Sequence, residues 1–144
     1  MTKWRGKGIE VLLVEDSPDD YELTRNVLEE NAINYHHAKD GEEAINFVTS
    51  THEESFSDEI HLILLDLKLP KLNGLEVLKK IRSDMRSHNI PVVILSSTDD
   101  EREITEAYDL GANSFVIKPI EFERFVRILS SVIDYWTLVN EMSR

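Results

Sequence analysis

The sequence contains no cysteine. This excludes disulfides, thiolate metal sites and cysteine nucleophiles, and it fits a reducing cytoplasm. Long uncharged apolar runs are also absent, which argues against a membrane-spanning helix. Met1 to Gly8 carries Lys3, Arg5 and Lys7, but no apolar stretch follows before Glu15-Asp16, so a secretory leader is not expected. Positive charge is scarce. Lys and Arg number 16 against 28 Asp and Glu, for a net charge of −12. Such a surface repels phosphate backbones and disfavours direct nucleic-acid binding. No strand-like run is followed by a GxGxxG or a GxxxxGKS/T loop, so a nucleotide-binding module of that kind is not expected.

What remains is an ordinary globular composition, 41% hydrophobic and 31% charged over 144 residues, enough for one core. We expect residues 1–8 to be a tail and residues 9–144 to form a single domain. Ile9 to Val14, Ile60 to Leu65, Pro91 to Leu95 and Ser114 to Ile117 are short, nearly continuous apolar runs. They read as strands buried on both faces, and Tyr35 to Ala38 is a weaker candidate. Helical patterns lie between them. Ser17-Pro18-Asp19-Asp20 has the composition of a helix start, and the helix it opens runs to about Asn31. Gly41 to about Ser50 is a second helix. Gly74, Val77, Leu78, Ile81 and Met85 share one face of a third. Asp99-Asp100-Glu101 opens a fourth, closed by Gly111. A fifth runs from about Glu121 to about Glu141. The order is βα five times over, which predicts a doubly wound α/β fold with a parallel sheet and helices on both faces. Thr51 to Glu59 reads as a polar surface loop.

In open α/β sheets, ligands bind beyond the carboxyl ends of the strands. Those ends deliver Glu15 and Asp16, then Asp66, then Ser96, then Lys118. Three carboxylates gathered in one place repel one another, by roughly 1 kcal/mol per close pair in water and about 4 at intermediate dielectric. A fold keeps such a cluster when a cation neutralises it, and oxygen ligands with room for water favour Mg²⁺, or Mn²⁺ in its place. Asp66 ends a buried strand, so its carboxylate is positioned rather than mobile. Beside a metal it can act as a covalent phosphoryl acceptor, with Lys118 and the Ser96 hydroxyl meeting phosphoryl oxygens. Asp20 reads as lying a turn into the first helix, apart from this cluster.

The segments LLVEDSPDD, LILLDLKLPKLNGLEVLKKIR, IPVVILSS and GANSFVIKP resemble the four signature stretches of response-regulator receiver domains of two-component signalling, over about residues 8 to 134. The resemblance implies a flavodoxin-like five-stranded sheet of order 2-1-3-4-5, an order the general rule for such folds already illustrates with a receiver. It implies that Asp66 is the phosphoacceptor, and that Glu15 and Asp16 serve the metal together with the backbone carbonyl of Lys68. Ser96 takes the place of the switch hydroxyl, Phe115 that of the switch aromatic, and Lys118 that of the lysine before a proline. The donor implied is a sensor histidine kinase or a phosphotransfer protein. Glu15 stands where many members have Asp, Asn73 replaces the more usual Asp before Gly74, and Phe115 lacks the hydroxyl of the common Tyr. EDSPDDYEL, the loop before the third strand and the C-terminal helix continuing into Tyr135-Trp136 resemble stand-alone receivers related to those serving phytochrome kinases. That implies a light-sensing or other sensor kinase.

Phe122, Phe125, Val126, Leu129, Val132, Ile133 and Trp136 form a stripe that packs on the sheet. Ile128, Tyr135, Leu138, Val139 and Met142 widen it beyond one face, which predicts a homodimer through the C-terminal helix. With no room left for a further output domain, the expected output is binding to a downstream protein target. His36, His37, His52, His61 and His88 lack metal spacing and read as surface or ordinary core groups. The competing enzyme reading is a haloacid-dehalogenase-type phosphatase with Asp66 as nucleophile. It wants a second Asp two positions on, where Lys68 stands. A degenerate receiver serving as a constitutive scaffold is the third reading, and the complete set of acids, hydroxyl and lysine argues against it.

Overall fold

Each apolar run becomes a strand and each amphipathic segment a helix. The computed structural model describes residues 9–49 and 60–140. In chain order the elements are β1 (Glu10–Val14), α1 (Pro18–Glu30), β2 (Asn34–Ala38), α2 (Gly41–Val48), β3 (Leu62–Asp66), α3 (Gly74–Ser83), β4 (Val92–Ser96), α4 (Glu101–Asp109), β5 (Ser114–Ile117) and α5 (Phe122–Asp134). The five strands pair in parallel in the order β2-β1-β3-β4-β5, as expected. Strand order reverses around β1, so a crevice opens at the carboxyl ends of β1 and β3.

The central strands are apolar throughout because both faces are covered. Leu12, Val14, Ile63, Leu65, Val92 and Ile94 face Ala44, Val77, Leu78, Ile81 and Ala107 of α2, α3 and α4. The alternate residues Val11, Leu13, Leu62, Leu64, Val93 and Leu95 face Val27, Leu28, Phe125, Leu129 and Ile133 of α1 and α5. Period-two alternation thus divides the side chains between two cores. Among the described residues no helix is long and apolar enough to cross a membrane.

Side-chain caps fix where four helices begin. The Ser17 hydroxyl accepts from the Asp20 amide, Asp40 from Glu43, and Asp100 from Arg102. Asn73 and Glu76 form a reciprocal capping box at the start of α3. Gly111 adopts a φ of +107° just past α4, the left-handed conformation expected of a helix-closing glycine.

Three details of the helices differ from the sequence reading. The third helix ends at Ser83, and Met85 is 90% exposed rather than on its buried face. Hydroxyls end it: Ser83 Oγ donates to the Lys80 carbonyl and Ser87 Oγ to that of Ile81. Phe122, assigned to the packed stripe, is 63% exposed at the first turn of α5. After α5 the chain widens into a π-helical turn, Tyr135–Val139, and leaves it in extended conformation at Asn140. Trp136 and Thr137 turn inward, while Tyr135, Leu138 and Val139 face outward. Residues 1–8, the Thr51 to Glu59 loop, His52 and Met142 lie outside the described residues.

Gly74 determines how closely α3 approaches the crevice. A Cβ there would lie 2.5 Å from both the Asp66 carbonyl oxygen and the Leu67 Cα, and the Gly74 amide donates to the Leu67 carbonyl at 2.7 Å. Backbone cannot yield as a flexible side chain can. Gly74→Ala is therefore expected to lower stability by about 2 kcal/mol, the usual scale of overpacking, read as a fall in the denaturation midpoint. An unchanged midpoint would mean that the approach is slack.

Candidate functional site

Asp66 is the last residue of β3 and Ser96 the last of β4, each inside the ladder rather than just beyond it. Both are buried, with Asp66 at 7% exposure and Ser96 at 0%. Glu15 and Asp16 follow β1 directly, and the Glu15 amide extends the ladder by donating to the Ala38 carbonyl. Lys118 follows β5, and its amide donates to the Ser96 carbonyl at 2.7 Å, which ties the exits of β4 and β5 together.

The Lys118 side chain crosses the crevice. Its Nζ donates to Glu15 Oε1 at 3.0 Å, to Asp20 Oδ2 at 2.8 Å and to Asp66 Oδ2 at 3.1 Å. The ammonium has three N–H donors, and each has a carboxylate. The other oxygens of the two buried acids are held by backbone. The Ser17 amide donates to Glu15 Oε2 at 3.1 Å, and the Lys68 amide to Asp66 Oδ1 at 3.1 Å. Ser96 Oγ accepts from the Thr98 amide at 3.2 Å, and Thr98 Oγ1 donates to Glu103 Oε2. Phe115 lies half-buried on β5, beside Ile94 in the register, and its amide donates to the Tyr108 hydroxyl on α4.

Glu15, Asp16 and Asp66 each offer a carboxylate oxygen, and these atoms lie within 4.8 Å of one another. Among the described residues they form the one group with metal-ligating potential. Asp16 is exposed and lines a cleft of about 520 Å³ together with Leu67, Lys68, Pro70, Asn73 and Glu103. A hard divalent cation with several waters fits this donor set and this space. Among the described residues no histidine joins this group. His36 pairs with Glu10, His37 bonds the Glu15 carbonyl, and His61 accepts from the Glu10 amide.

The structure thus gathers Glu15, Asp16, Asp66, Lys68, Ser96 and Lys118 at one edge, with Phe115 on the neighbouring strand. It also adds Asp20, which the sequence reading placed apart. Asp20 is the third residue of α1, its amide caps onto Ser17, and its carboxylate reaches back over the β1–α1 loop. The sequence signal was available. A helix separated from a strand by only three residues keeps its first turn beside the strand end.

A doubly wound parallel sheet of this order defines the flavodoxin-like fold class, and the acid cluster answered by a lysine lies at its switch point. Within that class, the chain belongs to the family of response regulator receiver domains, whose pattern matches residues 11–130. It is similar to Response regulator Rcp1 of Synechocystis sp., at 33% identity over 128 residues, covering 88% of this chain and 87% of that protein. The crystal structure of the Mn²⁺-bound form of Rcp1 superposes with a TM-score of 0.87 at 30% identity, covering 94% of this chain and 99% of the other. The phosphorylated cyanobacterial phytochrome response regulator RcpA gives 0.88 at 31% identity, with 95% and 99% covered. The bacteriophytochrome response regulator AtBRR gives 0.68 at 40% identity, with 93% and 99% covered. Of several other curated regulators the chain spans only about half to two-thirds, from 51% to 63%. Receiver domains accept phosphoryl groups from histidine kinases and act on downstream targets; they are signalling domains.

Burial above all, with Asp66 beside it, pushes Glu15 up to about 8 against the pull of Lys118. Burial works against the Lys118 ammonium, but Glu15, Asp20 and Asp66 outweigh it and hold its pKa above that of an ordinary lysine. Between the ordinary glutamate value of 4.5 and about 8, the folded protein without metal carries a Glu15 proton that the unfolded chain has lost. Stability without metal therefore falls as pH rises through that window. A cation needs the carboxylate, so its binding expels the proton and tightens as pH rises. Calorimetric titration of Mg²⁺ near neutral pH, in two buffers of different ionisation enthalpy, should show proton release. Heats that do not depend on the buffer would contradict the raised Glu15.

Proposed function

We propose that this chain is a phosphorylation-controlled switch that takes a phosphoryl group onto Asp66 from a sensor histidine kinase or a phosphotransfer protein. The observation that carries this reading is the Asp66 carboxylate. It is fixed at the end of a fully buried strand, 3.1 Å from the Lys118 ammonium and beside two further carboxylates. An Asp66 oxygen attacks phosphorus and forms an acyl phosphate. The bond from phosphorus to the donor nitrogen breaks, and its electron pair stays on the imidazole. Lys118 meets one phosphoryl oxygen and the Ser96 hydroxyl another, so these two groups supply positioning and charge while Asp66 alone makes the covalent bond. Glu15, Asp16, Asp66 and the Lys68 carbonyl would hold Mg²⁺ or Mn²⁺, which when bound neutralises the phosphoryl oxygens. The Mn²⁺ form of Rcp1 and the phosphorylated form of RcpA support this reading. The turnover proposed is limited to the protein's own acyl phosphate, formed and hydrolysed at Asp66. The kinship with regulators named for phytochromes supports a light-sensing kinase as partner, and the lack of cysteine supports a cytoplasmic site of action.

The switch follows from the same contacts. Ser96 Oγ leaves the Thr98 amide for a phosphoryl oxygen, and Phe115 moves into the space this opens. The exposed Tyr108, Ile117, Ile120 and Phe122 form the surface of α4, β5 and α5 that changes for a downstream protein target. With a net charge of −12, that target is a protein rather than a nucleic acid. Incubation with acetyl phosphate and Mg²⁺ should add one phosphoryl group to the wild type by intact mass and none to Asp66→Asn. Equal labelling of the mutant would sink the assignment.

Homodimerisation through the C-terminal segment belongs to the same proposal. Tyr135 is 48%, Leu138 37% and Val139 67% exposed along the π-helical turn, an apolar edge continuous with α5. A two-fold pairing would bury it. Sedimentation should find a dimer at high concentration for the wild type and a monomer for Leu138→Glu/Val139→Glu. A wild type that stays monomeric, phosphorylated or not, would exclude the dimer.

A further inference from the structure

Lys118 has no spare donor. Its three N–H groups are spent on Glu15, Asp20 and Asp66, yet the phosphoacceptor function proposed above, on which this inference rests, requires one of them for a phosphoryl oxygen. The three partners are not equally able to give way. The Glu15 side chain is 2% exposed and its second oxygen is held by the Ser17 amide. The Asp66 side chain is 9% exposed, is held at its second oxygen by the Lys68 amide, and is itself the group proposed to receive phosphorus. Asp20 is 31% exposed and engages Lys118 through one oxygen, with no second partner among the described residues. It stands on the first turn of α1 at the rim, where rotation returns its carboxylate to water at small cost.

We infer that Asp20 is an internal stand-in for the phosphoryl group: it occupies one Lys118 N–H before transfer and yields it when a phosphoryl oxygen arrives. Of the three partners it is the most exposed, so it is the one an incoming anion can replace. A phosphoryl group brings three acceptor oxygens and about two negative charges, and the Asp20 carboxylate opposes it both as competitor and as like charge. Glu15 and Asp66 keep Lys118 aimed when Asp20 is gone. Removing the Asp20 charge therefore lowers the barrier without losing the alignment.

The test uses the full chain, acetyl phosphate and saturating Mg²⁺, with initial labelling of Asp66 followed by intact mass. Asp20→Asn is nearly isosteric and should label roughly five-fold faster than wild type, the scale of one partly exposed ion pair. Asp19→Asn removes the same charge from the same helix turn but touches no lysine among the described residues, and should label at the wild-type rate. Asp20→Glu keeps the charge on a longer arm and should return the rate toward wild type. Asp20→Asn labelling at or below the wild-type rate overturns the inference, as does an equal acceleration by Asp19→Asn, which would reduce the effect to general electrostatics. A wild type that takes no label at all overturns the phosphoacceptor function itself, a result distinct from either.

Discussion

The ion pairs of Lys118 allow the rest of the carboxyl edge to exist. Glu15, Asp20 and Asp66 come within hydrogen-bond distance of one ammonium, and Asp16 lies close enough to two of them to share a cation. Four carboxylates against one lysine leave an uncompensated negative charge even when the pairs are perfect. Burial makes this worse, because the interior screens less than water. The protein answers in two ways. Backbone amides of Ser17 and Lys68 hold the outer oxygens of the two buried acids, and Glu15 retains a proton to high pH. A site that is over-acidic without its cation is poised to bind one, and the same surplus opposes an incoming phosphoryl group until a cation is present.

That edge is polar because the remainder of the sheet cannot be. β1, β3 and β4 are covered on both faces, so a charged side chain within them would have no water and no partner. Only the strand ends can carry function, and parallel strands put all those ends on one side. The loops then hold the geometry. Gly74 lets α3 lie against the Asp66 carbonyl. At the opposite end of α3, the half-buried Arg82 donates to the carbonyls of Gly111, His88 and Ile90 and to Asn113, binding α3 to the segments that enter β4 and β5. The strands that present Ser96 and Lys118 are thus anchored far from the chemistry.

Much of this was legible in the residues. Short β-rich apolar runs alternating with capped amphipathic segments leave few topologies open, and the strand exits named Glu15, Asp16, Asp66, Ser96 and Lys118 before any coordinates. Period and composition do not register hydrogen bonds, so the ends of β3 and β4 fell one residue short of Asp66 and Ser96. Asp20 was missed because a helix-opening acid has a sufficient local reason to be there in the helix dipole; only the fold brings Lys118, 98 positions away, into reach. Met85 matched the spacing of α3 but lies past Ser83, where local hydroxyl bonds end the helix. The π-helical turn had no signal, since the apolar pattern of α5 continues through Trp136 and only the widened backbone separates Thr137, turned inward, from Leu138, turned out.

The coupling proposed between site and surface would run through backbone as much as through side chains. The Ser96 carbonyl accepts the Lys118 amide at 2.7 Å, so the two groups proposed to hold the phosphoryl belong to strands joined at their last residues. A pull on the Ser96 hydroxyl and a pull on the Lys118 ammonium therefore act on one rigid corner. Three residues before Lys118, the Phe115 amide donates to the Tyr108 hydroxyl, which crosses from α4 to β5. Phe115 brings no phenol of its own, but α4 supplies one that bonds β5 at the same residue. A shift of the Phe115 backbone must either carry Tyr108 with it or break that bond, and Tyr108 is half exposed on the surface proposed for a partner. In this chain the polar link between β5 at Phe115 and that surface thus comes from a helix side chain, so that a backbone displacement at Phe115 would reach α4 directly.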